Sequence, residues 1–323
     1  MIRFIKYQGC GNDFVFIDEA SAALVEGDIS DFARRVCHRR LGVGADGLII
    51  CRTKPLTMDI INSDGSIAPM CGNGVRCFAR YCVDEGVVSS DTRAFDVHTL
   101  SGVVRARVSL EGGFTAEIAM GNPDWSARVA GVGDVYRKGS DEFLGREISV
   151  DISGGSCGEG AARDESAGEA NTVGVDETAR REVRVSSLFL GTYHTVVWLD
   201  ENEWIRGGNE GILYESKDID RVGRFLESHP AFTKRTNVDF ARVTNRRTVE
   251  MITWERGAGL TAACGTGACA VTALGIREGR FDGEGEVRVL LPYGELFIRQ
   301  DESGEVFMRG PAEPVFRGEL YQG

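Results

Sequence analysis

Histidine is scarce, with four in 323 residues, and none of the nine cysteines forms a C-x-x-C pair. A structural zinc site needs thiols and imidazoles at ligand spacing, so no metal centre is expected. No apolar run nears the ~18–20 residues of a membrane span, which excludes a membrane partner. Basic residues are outnumbered, 37 Lys and Arg against 49 Asp and Glu, for a net charge of −12. A nucleic-acid partner calls for a basic excess or stripe, so none is expected. The first residues, Met1–Gln8, have no long apolar core and no small-residue cleavage site. They read as a first strand and not as a signal peptide. An odd number of cysteines in such a chain points to free thiols in a reducing, cytoplasmic setting.

Glycine is in excess, 42 in 323 residues, nearly double the usual ~7%. The glycines follow no collagen-like period and suggest many tight turns and close backbone approaches. Apolar residues at 42% and charged residues at 27% are ordinary for a globular protein, and the length suggests about two domains. Short apolar stretches bounded by turn residues predict strands at Asp13–Asp18, Leu48–Cys51, Val103–Leu110 and Tyr193–Leu199. Helices are predicted at Asp31–Arg40, Val75–Glu85, Ile219–Ser228 and Ala268–Glu278. Mixed strands with few helices, in no regular alternation, predict an α+β fold. Residues 151–182, rich in Gly, Ser, Ala and Glu, read as a long surface loop or partly disordered insertion. Cys157 within it is an exposed thiol given no role. Cys51, Cys77 and Cys82 sit among apolar neighbours and read as small core residues.

An internal repeat is the strongest signal. Gly44–Phe78 matches Asn237–Val271 at a constant offset of 193 (264 minus 71), without a gap. The offset pairs Asp46 with Asp239, Met58 with Met251, Cys71 with Cys264, Gly72 with Gly265 and Gly74 with Gly267, and sets Asn62 opposite Glu255. Two halves on one plan predict two similar domains with a site between them.

Each half carries a Cys-Gly-x-Gly turn, Cys71–Gly74 and Cys264–Gly267, running into a predicted helix. The glycines let bare backbone approach a ligand, and the free N–H groups of a helix start attract an anion. A thiol there is expected to have its pKa lowered from about 8.5 by the helix dipole. Two such ends facing one cavity would place a thiol on either side of one bound carboxylate. That suits inversion of a carbon acid, which needs a base on one face, an acid on the other, and donors for the enolate-like charge on the carboxylate. No pyridoxal phosphate or other cofactor is demanded. Gly42–Gly47 fits G-x-G-x-x-G, but a dinucleotide fingerprint must follow a strand and open a helix. Here a strand-like stretch follows it, so no nicotinamide site is expected.

At these residues the chain resembles the diaminopimelate epimerase family. The matching stretches are Gly11–Phe14, Gly42–Gly47, Asn62–Ser66, Cys71–Phe78, Thr236–Phe240, Trp254–Gly257 and Ala263–Ala268, which are spread over nearly the whole chain except the region 134–185. The resemblance implies two pseudo-symmetric α+β domains, each a strand-rich barrel-like shell around a central helix. Their expected limits are 1–121 with 312–323, and 122–311. It implies a cofactor-independent isomerase in which Cys71 and Cys264 are the acid/base thiols. Gly72, Asn73, Gly265 and Thr266 would hold the reacting carboxylate of a small amino-acid substrate. Asn12, Asn62, His194, Asn237, Glu255 and Arg256 match family positions around the rest of that substrate. A homodimer is one possible assembly.

The chain departs from the family pattern in places. Gly191-Thr192-Tyr193-His194 stands where Gly-Asn-Pro-His is usual, and Leu260 and Ala262 replace a Glu and a Gln. The proton-transfer residues are intact while part of the substrate end is altered. Diaminopimelate is the first expected substrate, with another amino acid such as histidine as the alternative. An isomerase of the proline racemase kind, and a non-catalytic amino-acid-binding or thiol redox-sensor protein, also stay open.

Overall fold

Two copies of one strand plan build the computed structural model, which describes residues 1–137, 140–151, 180–205, 213 and 216–321. In the first copy β1 (Ile2–Gly9) runs antiparallel to β2 (Asn12–Asp18), β2 parallel to β3 (Gly47–Thr53), and β3 antiparallel to β4 (Leu56–Asn62). Strand β4 pairs with the short β5 (Ile67–Ala68) and, in parallel, with β6 (Ala94–Thr99). From there β7 (Gly102–Ser109) and β8 (Thr115–Gly121) continue antiparallel. The second copy repeats each relation. Strands β9 (Phe143–Asp151), β10 (Arg180–Leu190) and β11 (Thr192–Trp198) are antiparallel, and β11 is parallel to β12 (Asn237–Asn245). Strand β12 is antiparallel to β13 (Thr248–Glu255), which pairs with β14 (Gly259–Thr261) and, in parallel, with β15 (Val287–Leu291). The series ends on β16 (Gly294–Gln300) and β17 (Val306–Pro311). Strand β18 (Glu313–Leu320) crosses back to pair with β1, taking the place beside β1 that β9 has beside β10. The last strands of the two copies, β8 and β17, pair with each other.

Among the described residues five α-helices accompany the strands: α1 (Glu19–Ala22), α2 (Ile29–Cys37), α3 (Gly72–Asp84), α4 (Lys217–Glu227) and α5 (Gly265–Arg277). The central pair is α3 and α5. Val75, Cys77, Phe78, Ala79 and Cys82 of α3 are fully buried, as are Ala268, Cys269, Ala270, Val271 and Leu274 of α5. A helix apolar on nearly every face has no solvent side and must be wrapped. The small residues of α5 let the strands approach it closely. The strands supply the matching face by alternation: along β7, Val104, Ala106 and Val108 point inward, while Arg105 and Arg107 point out to Asp96 and Glu117 on neighbouring strands. Cys51, Cys77 and Cys82 are core residues, as expected.

The predicted elements are present, with shifts at their ends. Helices α3 and α5 begin three residues earlier than expected because Cys71 and Cys264 themselves cap them. Helix α2 stops at Cys37, where His38 turns extended. The reading of 151–182 as a loop needs correction at its edges: Asp151 ends β9, Arg180–Glu182 begin β10, and Arg180 pairs with Asp151. The rest of that stretch, Cys157 included, lies outside the described residues. The ungapped repeat also needs correction. Gly47 faces Asn62, whereas the register of β12 on β13, with Val238 facing Trp254, puts Asn237 across from Glu255. The second hairpin is therefore three residues longer, so Gly47 corresponds to Asn237, and Asp239 has Ile49 as its counterpart instead of Asp46. Among the described residues, no helix is long and apolar enough to cross a membrane.

Candidate active site

Cys71 and Cys264 each occupy the N-cap of a central helix, in extended conformation, with the sulfur accepting from the amide three residues on. The distances are 3.5 Å from Gly74 N to Cys71 Sγ and 3.4 Å from Gly267 N to Cys264 Sγ. Ser, Thr, Asp and Asn are the usual caps because oxygen accepts strongly. A thiol is a weak acceptor and a thiolate a better one, so these caps favour the charged form of each sulfur.

The two helix starts meet through Asn73. Its Nδ2 donates to Ala263 O, the residue before Cys264, and to Asn12 Oδ1, both at 3.3 Å. Arg76 Nη1 donates to its Oδ1 at 2.8 Å. A Cβ on Gly265 would come within 3.1 Å of Asn73 Oδ1 and 2.9 Å of Met308 Sδ, and one on Gly72 within 2.6 Å of Met308 Cε. A side chain at either position would have to push Met308 or Asn73 aside, so the glycines let the two helix starts close on β17. Asn12 stands over the first thiol. Its Nδ2 donates to Asp46 Oδ2, which leaves Oδ1 toward Cys71 Sγ at 3.8 Å.

The second thiol is backed by a buried polar group. Thr266 Oγ1 lies 3.5 Å from Cys264 Sγ. Asp239, fully buried, accepts from Thr253 Oγ1 at 2.8 Å and lies 2.7 Å from Nδ1 of the equally buried His194. His194 Nε2 is buried with no partner among the described residues. At the end of β13, Glu255 accepts from Thr261 Oγ1 at 2.6 Å. Asn237 Oδ1 accepts from the Arg256 amide at 2.8 Å. The exposed Arg256 side chain donates to Lys234 O and lies over the Tyr193 ring, 5.4 Å from its centroid. Asn62 is placed differently from the others: its side chain donates to Ser66 Oγ within its own hairpin turn. The G-x-G-x-x-G segment joins α2 to β3, the reverse of the order a dinucleotide site requires.

The expectation of a lowered thiol pKa is overturned. Burial pushes Cys71 up, and the Glu255 carboxylate adds to this, against the amides of Gly74 and Asn73 and the Arg76 guanidinium. Cys264 is pushed well above the usual thiol range by burial, then by Glu255 and Asp239, against Thr266 and the Gly267 amide. Burial raises Glu255 too, opposed by Thr261 and His194. Desolvation thus outweighs the helix starts. The Glu255 carboxylate raises both thiols. Neither Asp239 nor Arg76 was assigned a role from sequence. Asp239 stood out only as a repeat position, and nothing in the sequence marked Arg76 as buried.

The chain matches the family model described as diaminopimelate epimerase over residues 4–126 and 190–315. It is 36% identical to the diaminopimelate epimerase of Desulfitobacterium hafniense over 99% of both chains, and 38% identical to that of Moorella thermoacetica over 99% of both. Similar solved structures include a phenazine biosynthesis protein of the PhzF family from Bacillus anthracis, with TM-score 0.61, 13% identity and 99% of both chains covered. A probable proline racemase from Agrobacterium radiobacter has TM-score 0.60 at 12% identity, with 100% of this chain and 94% of that one covered. Both share the two-copy fold, and the chain belongs to the diaminopimelate epimerase family.

Proposed function

We propose that the protein is a cofactor-independent isomerase that interconverts LL- and meso-diaminopimelate by passing a proton between Cys71 and Cys264. The observation that carries this reading is the Asn73 bridge, which holds the two thiol-capped helix starts against each other. A carboxylate bound at Gly72-Asn73 and Gly265-Thr266 would receive amides from both helices, and the charge that develops on it during α-proton removal would be stabilised there. One thiolate takes the proton from one face, and the opposite thiol delivers its own to the other. Binding excludes water and replaces it with these fixed donors. Asn12, Asn62, His194, Asn237, Glu255 and Arg256 are proposed contacts for the remainder of the substrate. Arg256 suits a distal carboxylate because its planar fork can bind one bidentately. Full-length relatives that carry the diaminopimelate epimerase name support this substrate.

The fold limits proposed from sequence, 1–121 with 312–323 and 122–311, are supported by the exchange of β18 onto β1. A cytoplasmic location and a homodimer belong to the same proposal. Tyr193 beneath Arg256 favours a second reading, a different amino acid at the distal end, since the ring holds the guanidinium in place of a rigid proline. Incubation in D2O should put deuterium on the α-carbon of diaminopimelate but not on that of histidine, lysine, ornithine or glutamate. Cys71→Ala or Cys264→Ala with full activity would remove the two-thiol mechanism, and deuterium in another amino acid alone would move the assignment to that substrate.

A further inference from the structure

Arg76 is 0% exposed, and among the described residues no carboxylate pairs with it. Its neighbours are Asn73 Oδ1, Met308 Sδ at 3.3 Å, Pro311 O at 3.3 Å and the Cys10 thiol, and its Nη2 is buried without a partner. An isolated buried cation is costly, and proteins rarely keep one without a compensating anion. Arginine can only donate, so it forces the Asn73 carbonyl toward itself. The Asn73 amide nitrogen is then left to donate to Ala263 and Asn12. The offset of 193 that relates the two helices puts Cys269 at the position matching Arg76, so the cation backs one helix start only.

We propose that Arg76 is a positioning residue for the reaction: its carboxylate-free guanidinium fixes the Asn73 amide that ties the two helix starts together, and supplies the positive charge that the bound substrate carboxylate neutralises. The inference rests on the carbon-acid reading above. Four thiols feel the guanidinium: Cys10, Cys71, Cys77 and Cys269 are each pulled down by it against burial. The anionic groups acting on the same thiols are Glu255 on Cys71, Glu295 on Cys10 and Asp13 on Cys77. Among the described residues the cation has no anionic partner of its own. A carboxylate arriving at the helix starts provides one, and the attraction grows as charge accumulates on its oxygens.

The test compares Arg76→Gln, which keeps a donor for Asn73 without the charge, with Arg76→Lys, which keeps the charge. Loss of preorganised electrostatic stabilisation of a developing oxyanion typically costs about 10²-fold or more in turnover. Arg76→Gln should therefore lose ~10²-fold in kcat/KM, mostly in kcat, while Arg76→Lys stays within about tenfold. A second readout needs no substrate: the pH at which iodoacetamide alkylation of Cys71 accelerates, followed by peptide mass spectrometry. That inflection should move up in Arg76→Gln and stay in place in Arg76→Lys. A folded Arg76→Gln with an unmoved inflection and wild-type kcat/KM overturns the proposal. If that variant does not fold, Arg76→Lys decides: near-wild-type activity and inflection support the charge, and an inactive folded lysine variant overturns it. A wild type that puts no deuterium on diaminopimelate defeats the substrate reading alone, since the alkylation readout does not use it.

Discussion

Substituting Gly267 by alanine tests the packing beneath the second thiol. A Cβ built on Gly267 falls 2.3 Å from Asp239 Oδ1 and 3.0 Å from Thr253 Oγ1. Ordinary carbon–oxygen contact needs roughly an ångström more, and Asp239 is fully buried with its carboxylate bonded to His194 and Thr253. Moving it by that amount breaks one or both bonds, each worth about 1.5–3 kcal/mol when a charged group takes part. Against this, alanine in a helix gains about 0.5–1 kcal/mol over glycine. The net expectation is a loss of about 2–4 kcal/mol in urea unfolding. The decisive measurement is a double-mutant cycle with Asp239→Ala. Once the carboxylate is gone, Gly267→Ala should be neutral or slightly stabilising, for a coupling of about 2–4 kcal/mol. A single mutant as stable as wild type, or two changes that simply add, would refute the reasoning that Asp239 is pressed against this helix start.

Two further outcomes follow from the electrostatics. Because burial raises both thiols above the usual thiol range, kcat/KM should climb with pH through neutrality and peak on the alkaline side, where one thiol has ionised and the other has not. A plateau already complete at pH 7 would count against it. Asp13 is 9% exposed and paired with Lys6 at 2.7 Å and Arg39 at 2.9 Å. Despite burial, these partners hold its pKa below the usual range. A depressed carboxylate adds stability that is present above its unfolded pKa of ~3.9 and lost as pH falls through the folded value. Asp13→Asn should cost roughly 2–3 kcal/mol at pH 7, with the gap to wild type closing below about pH 4 in acid unfolding.

The fold was legible wherever a local rule applied. The short β-branched runs became strands, and the Cys-Gly-x-Gly turns became helix starts, because glycine and a capping side chain act over a few residues. The repeat was legible as well, but its register was not. Hairpin length is settled by cross-strand pairing, and identical residues at Asp46 and Asp239 concealed a three-residue difference between the two hairpins. The thiol pKa was misjudged for a related reason. The helix start that stabilises thiolate is visible in sequence, while the burial that outweighs it depends on residues far along the chain, such as Glu255 and Asp239 beside Cys264. Arg76 shows the same limit, since its isolation is a property of β17, α3 and the β1–β2 turn packed together.

Strand β18 bears on how the polypeptide acquires its shape during synthesis. The hydrogen-bonding edge of β1 that it covers, from Ile2 to Gln8, is made about 300 residues before its partner, Glu313–Leu320. On the ribosome β1 must therefore wait with one bare strand edge until β18 has emerged. Such an edge is a template for pairing with other chains. A nascent or truncated product ending before residue 313 would keep that edge open, and a chaperone that shields extended backbone would have its longest task there.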